Sequence, residues 1–343
     1  MSARAPLDVL LLCHDTLVPP GGARGYSRRA PPEWRTEFDV LRALRALGHE
    51  TRVLGAQHDV EAVLAAVRAR RPDVVFNLLV EFHGQPGFDQ HVASLLELLE
   101  LPYTGCNPRG LTLARDKALS KEILAAHGVD VPRFQVFERG ARVRRRSGLD
   151  FPLIVKSRTE EASLGLARAS VVASERALAR RVAFVHEHLD TDAIAEEYLD
   201  GRELYSALLG AARGGARARV LPTWELVFAR LARGAPRIAT RAVKFSPSIQ
   251  RRLGVASRAA RLAPALERRV ARTARATWHA LGLSGYARVD LRLTPAGRLA
   301  VLEANPNPEL ARGEDFADAA RAAGIAYSEL VRRLLELALR TRA

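Results

Sequence analysis

Short apolar runs alternate with amphipathic stretches through the first hundred residues, and that alternation leaves few folds open. Residues 7–13 read as an apolar strand, 37–47 as an amphipathic helix ending at Gly48, and 51–54 as a second strand. Residues 60–70 read as a helix, Pro72 precedes a strand at 73–79, and a helix at 90–99 leads into Leu-Pro-Tyr-Thr-Gly. Successive βαβ units of this kind require a parallel sheet with helices on both faces. Ligands of such sheets bind outside the carboxyl ends of the strands, where the Gly- and Pro-bearing segments 19–25 and 77–89 fall.

The pattern then changes to α+β. A helix is expected at 111–126, closed by Gly128, followed by extended segments at 134–137, 152–156 and 167–172. A helix at 175–188 and a strand at 193–198 come next, then strands at 204–209 and 220–228. A long Arg/Ala helix at 263–281, a hairpin, and helices at 316–323 and 327–339 complete the order. Residues 141–148 (ARVRRRSG) read as an exposed loop. At 343 residues the chain exceeds one core, so two or three units are expected: 1–110, 111–200 and 201–343.

An apolar fraction of 48% with 27% charged residues describes a chain that folds. The apolar run at 9–13 is far short of the roughly 20 residues that a bilayer span requires, so no membrane partner is expected. Cys13 and Cys106 form neither a disulfide framework nor a metal knuckle, which fits a cytoplasmic protein. The net charge of +15 invites a polyanion reading. Against it, the excess is nearly all arginine; the lysines are Lys117, Lys121, Lys156 and Lys244 alone. In a chain whose composition has drifted to arginine, those four positions stand out.

The segment YARVDLRLTPAGRLAVLEANPNP, residues 286–308, holds two strands joined by a Thr-Pro-Ala-Gly turn. Residues two apart share a strand face, so Arg288 goes with Asp290 and Glu303 with Asn305. Antiparallel pairing brings both couples to one spot. Two carboxylates and an amide are hard oxygen donors suited to Mg²⁺ or Mn²⁺, with positions left for water and phosphate. A phosphate there needs further cations. Lys156 ends the strand FPLIVK before a small-residue loop, Lys117 lies at a helix start, and Lys244 sits in ATRAVKF. Lysine serves phosphate as a compact point charge. Lys121, one turn past Lys117, is read as a surface residue. In AIAEEYLDGRE, Glu196, Glu197, Tyr198 and Leu199 end a strand whose backbone could read an adenine edge, and Glu203 could accept ribose hydroxyls.

With these residues in place, the chain resembles the ATP-grasp superfamily, and within it the D-alanine:D-alanine ligase group. The markers are HGQPGFD, LLELLELPYTG, RDKALSKEILAAHGVDVP, FPLIVK, AEEYLDGRE, YARVD and LEANPNP, in order, over residues 74–339. The resemblance implies a Rossmann-like N-terminal domain (1–110), then an ATP-grasp fold in two parts, a central (111–200) and a C-terminal (201–343) subdomain. It implies ATP and Mg²⁺ as cofactors, two ions held by Asp290, Glu303 and Asn305 with Glu303 bridging. Lys117 and Lys156 would contact ATP phosphates, and Lys244 would reach them from a mobile loop. Glu196 with the backbone at 197–199 would bind adenine, and Glu203 ribose. Arg288 would stabilise the transferring phosphoryl group and the tetrahedral intermediate. Glu37 and His83 would shape the first substrate's pocket, and the loop at 163–165, with Ser163, would help close a lid. The reaction implied joins amino acids, or a related acid and amine, through an acyl phosphate. A homodimer is the implied assembly.

The chain departs from the family pattern on the substrate side. The small-residue loop reads Glu161-Ala162-Ser163 where the ligases have Gly-Ser-Ser. PNPELARGEDF replaces the segment leading to the serine that holds the second substrate's carboxylate, and Phe245 replaces a tyrosine. The amino-acid or peptide substrates therefore remain open. Two other readings compete. A nucleic-acid-binding protein would use the arginines of 141–148 and 251–275, but the 6% aromatic content offers no stacking platform. A non-catalytic nucleotide-binding relative is opposed by the complete Arg288, Asp290, Glu303 and Asn305 set.

Overall fold

The computed structural model describes residues 5–27, 31–160, 164–210, 218–232 and 234–340. Its first sheet is parallel: β1 (Asp8–Cys13) lies between β2 (Glu50–Gly55) and β3 (Val74–Asn77). Helices α1 (Arg35–Ala46), α2 (Val60–Ala69) and α3 (Asp89–Leu98) connect and cover it. α2 starts where the Asp59 side chain caps it by accepting the Glu61 N–H.

The helix expected at 111–126 is two helices, α4 (Pro108–Arg115) and α5 (Lys117–Ala126). Asp116 between them adopts an extended backbone and its carboxylate caps α5 by accepting from Ala118 and Leu119. The break turns α5 so that Lys117 meets the next sheet. That sheet is antiparallel, in the order β4 (Phe134–Phe137), β7 (Ala193–Glu197), β5 (Leu153–Ser157), β6 (Val171–Val172), with α6 (Glu175–Leu189) packed on it. The extended segment expected at 167–172 reaches only β6, because Arg168–Ser170 winds into a 3₁₀ turn.

The largest sheet runs β11 (Val255–Ala259), β10 (Trp224–Phe228), β8 (Arg202–Gly210), β12 (Gly285–Leu293), β13 (Leu299–Pro306), with β9 (Arg219–Val220) pairing β8. The single strand expected at 220–228 is divided because Pro222 carries no N–H for the ladder. Two short helices, α7 (Arg241–Phe245) and α8 (Pro247–Leu253), precede β11, and α9 (Pro264–Ala280) covers one sheet face. α10 (Asp315–Ala322) and α11 (Tyr327–Arg340) complete the chain.

α11 returns to the beginning of the molecule. Leu330, Leu334 and Leu335 share one apolar core with Val9, Leu11, Val40, Leu44, Val74 and Phe76, and the same core reaches Tyr286 and Phe316. The first and last elements are thereby one packed body. Gly201, at the turn from β7 to β8, has φ +140°, and a Cβ there would lie 2.1 Å from the Leu293 carbonyl oxygen. Only glycine allows the hinge to approach the hairpin so closely.

Candidate active site

A cavity of about 500 Å³ opens between the two antiparallel sheets, walled by β5, β7, β8, β12 and β13 with α7 on one side. A second depression, about 920 Å³, lies between α3, Gly282–Gly285 and α11. Most of the ionisable residues expected at the site, Glu37 and His83 apart, gather in the first.

The hairpin carries the expected geometry. β12 and β13 pair so that Arg288 stands opposite Asn305 and Asp290 opposite Glu303, with a bulge immediately after Asp290. Arg288 is a two-pronged donor to Asp290, Nε to Oδ1 at 2.7 Å and Nη2 to Oδ2 at 2.8 Å. The guanidinium also lies 4.6 Å from the centroid of the Tyr205 ring and 3.9 Å from Asp315. Its orientation is fixed by three neighbours rather than by one.

Lysines surround Glu303. Burial alone would raise its pKa, but the charges of Lys156, Lys117, Lys244 and Lys121 outweigh it and bring it down to about 2. Asp290 moves the other way: burial and the neighbouring Glu303 push it up to about 6 against the pull of Arg288. The two facing carboxylates therefore hold different amounts of negative charge.

Lys156 Nζ lies 3.0 Å from Glu196 Oε1. Lys117 donates to the Glu160 carbonyl at 2.5 Å. Lys244 lines the same cavity, but from the short helix α7, which Thr240 caps through the Val243 N–H, and not from a loop. Lys121 corrects the surface assignment: it is 1% exposed, donates to the Leu302 carbonyl at 2.6 Å and stands 3.1 Å from Glu196 Oε1. The i,i+4 spacing from Lys117 was the available signal, since both project from one face of α5.

The hinge is divided in its use. Glu196 points into the lysines, whereas Glu197 turns outward to Arg298 at 3.0 Å. The Glu197 and Tyr198 N–H groups donate to the carbonyls of Arg133 and Pro152, and among the described residues the Leu199 N–H has no backbone acceptor. Glu203 accepts from Arg292 at 2.9 Å and from the Tyr205 hydroxyl at 3.0 Å. All four residues, 196–199, line the cavity with Glu203.

Two expected residues do not line it. His83 is exposed and has φ +58°; the tight turn between Phe82 and Gln85 directs its ring to His58, Nδ1 to Nδ1 2.9 Å, and away from the cavity. Glu37 is buried in α1, with Oε2 lacking a hydrogen-bond partner, and burial with the charge of Glu309 pushes it up to about 7. It lies behind the cavity rather than on its surface. Ser163 is outside the described residues.

Residues not expected at the site also reach it. Arg35 of α1 joins Glu309 at 2.7 Å and Glu314 at 2.5 Å, and all three line the cavity. Asp315 lines it too, beside Arg288. Burial and Glu309 push Glu314 up to about 7 despite Arg35.

The metal-donor set is two carboxylates and an amide. Among the described residues no three His, Cys, Asp or Glu side chains gather as a self-sufficient metal cage. Mg²⁺ bound through one or two carboxylates plus substrate phosphates needs no such cage. Among the described residues Asn305 Nδ2 is buried without a partner; this unused amide donor suits a phosphate oxygen, Oδ1 being the atom that a metal would take. The donors fit a magnesium–phosphate site.

The family model for the D-ala D-ala ligase C-terminus matches residues 123–336. The chain belongs to the D-alanine:D-alanine ligase family. It is 32% identical to the D-alanine–D-alanine ligase of Desulforudis audaxviator across 92% of this chain and 96% of that protein. It is 30% identical to the Moorella thermoacetica ligase across 88% and 92%, respectively. An uncharacterised Sinorhizobium fredii protein, y4sG, is 33% identical over 90% of this chain and 89% of its own length. Among solved structures, the Bacillus anthracis D-alanine–D-alanine ligase complexed with ATP superposes with a TM-score of 0.73 at 22% identity, covering 98% of both chains. The Coxiella burnetii ligase gives 0.70 at 19% identity, covering 98% of this chain and 96% of that one. These likenesses establish the ATP-grasp architecture: a parallel-sheet unit and two antiparallel sheets flanking the cavity. No described helix of this D-alanine:D-alanine ligase relative is long and apolar enough to cross a membrane.

Proposed function

We propose that the protein is an ATP-dependent carboxylate–amine ligase that joins two amino acids, or a related acid and amine, through an acyl phosphate. The observation that carries this reading is the in-register meeting of Arg288, Asp290, Glu303 and Asn305 beside Lys117, Lys156 and Lys244 in one cavity. A carboxylate is a poor electrophile; transfer of the ATP γ-phosphoryl group to it makes a carbonyl that an amine can attack, expelling phosphate. The protein's share of that chemistry is position and charge.

Lys117, Lys156 and Lys244 neutralise phosphate oxygens. Arg288, braced by Asp290 and Tyr205, faces the anion that forms as the phosphoryl group moves and then as the amine adds. Asp290, Glu303 and Asn305 would hold Mg²⁺ together with the phosphates; a bound ion supplies charge neutralisation that the lysines alone do not. The Leu199 N–H and the Glu203 carboxylate would read the nucleoside. Glu309 and Glu314, both joined to Arg35, line the same cavity, so a carboxylate-bearing acceptor would meet acidic side chains there as well as that arginine. The acid and amine partners are small molecules of the amino-acid or short-peptide class, and dialanine is one candidate product among them.

The test is ADP release by the purified protein with Mg²⁺ and a panel of D- and L-amino acids and dipeptides, with mass analysis of products. Acceptor-stimulated ADP together with a condensed product is expected. A panel giving no acceptor-stimulated ADP overturns the ligase reading.

A further inference from the structure

Lys121 stands beneath the cavity and touches both of the elements that carry its chemistry. Its ammonium is buried, and burying such a charge is costly unless its donors are used. Two uses are visible. Nζ donates to the carbonyl of Leu302, the residue before Glu303 on β13. It also lies 3.1 Å from Glu196 Oε1 on β7, and that same oxygen lies 3.0 Å from Lys156 Nζ. One carboxylate oxygen is thus divided between a lysine at the cavity and a lysine below it, and α5, β5, β7 and β13 meet at this point.

We propose that Lys121 is a positioning residue for nucleotide binding, acting through Glu196 on Lys156 and through the Leu302 carbonyl on Glu303. This inference rests on the ATP-dependent reading above. Glu196 shared between two ammonium groups holds each less firmly than it would hold one. Lys156 can therefore turn from Glu196 to a phosphate oxygen at small cost, because the Lys121 ammonium, 3.1 Å away, still neutralises the carboxylate after it leaves. Without Lys121, departure of Lys156 would strand Glu196 buried and unpaired, so the Lys156–Glu196 pair would persist. The bond to Leu302 acts on the other side of the cavity by fixing the β13 backbone at the residue next to Glu303.

The experiment measures the Kd of Mg-ATP by titration calorimetry, which requires no turnover, for wild type, Lys121→Met, Glu196→Gln and the double variant. Thermal melts confirm folding. Lys121→Met is expected to weaken Mg-ATP binding about tenfold, the scale of one charge-assisted hydrogen bond. Glu196→Gln in the Lys121→Met background is expected to restore at least about threefold of that loss, since no carboxylate then retains Lys156. A lysine that served folding alone would give losses that add, with no rescue. If Lys121→Met does not fold, Lys121→Gln, which keeps a donor for the Leu302 carbonyl, carries the same comparison. Wild type that binds Mg-ATP while Lys121→Met binds equally well, or while the double variant shows no rescue, overturns the positioning role and leaves the ligase reading standing. Wild type that binds no Mg-ATP overturns the ligase reading itself, and this inference with it.

Discussion

Asp290 and Glu303 face one another across the β12–β13 ladder, yet their proton affinities are driven apart, Asp290 up to about 6 and Glu303 down to about 2. The difference comes from their neighbours: Asp290 has one guanidinium against its burial, and Glu303 has four lysines. Glu303 is the firmer anion of the pair. Glu303→Gln keeps the shape and removes the charge; it is expected to lower Mg²⁺-dependent ADP formation by about a hundredfold or more. Rates across a magnesium titration check this, and a loss smaller than tenfold would count against the role.

Arg288→Lys is expected to be nearly as damaging as Arg288→Ala. A lysine cannot reproduce the two parallel bonds to Asp290 or the stacking over Tyr205, so both the cation and Asp290 lose their orientation. The expected loss in kcat is about a hundredfold with little change in the Kd for ATP, measured by pairing steady-state rates with direct nucleotide titration.

The acidic wall makes a separate prediction about the acceptor. At pH 8, above the value of about 7 to which Glu314 is pushed, replacing it with Gln removes one like charge from the wall that a carboxylate-bearing amine would meet. KM for such acceptors should fall about tenfold, while KM for acceptors without a carboxylate should hardly change, because partly screened charges at short range differ by that order. A uniform change across both classes would mean that Glu314 does not face the acceptor.

Glu37 gives a stability signature. Its folded value, about 7, lies above its ordinary value of 4.5, so the unfolded chain ionises first as pH rises. The folded state is therefore fully favoured by this group below about 4.5, loses that advantage between about 4.5 and 7, and gains nothing further above. Glu37→Gln should become more stable relative to wild type across that window, by up to about 3 kcal/mol. Urea melts of both proteins near pH 5 and pH 8 read the difference directly.

The hairpin was legible because a strand has period two and the Thr-Pro-Ala-Gly turn fixes its sense; together these put four polar side chains on one face. Lys121 was not, because helical spacing says which residues share a face but not what that face will meet. Here it meets β7 and β13, which are distant in sequence. The break at Asp116 was written in its N-cap chemistry but hidden by unbroken helical propensity on either side. β11 escaped notice because it is an exposed edge strand with no alternation to read. His83 illustrates a different limit: its left-handed turn is a backbone property that decides where a ring points, and no spacing rule contains it. The acidic wall was visible only as a departure from the family pattern; its meaning came when α1 brought Arg35 to Glu309 and Glu314.

The shared core of α1, β1, β3 and α11 orders events during synthesis. Part of the apolar cover of the opening sheet on that side is supplied by residues made almost three hundred positions later. Until Leu330, Leu334 and Leu335 leave the ribosome, Val40, Leu44 and Phe76 lack their native cover, and the nascent sheet is a natural client for a chaperone.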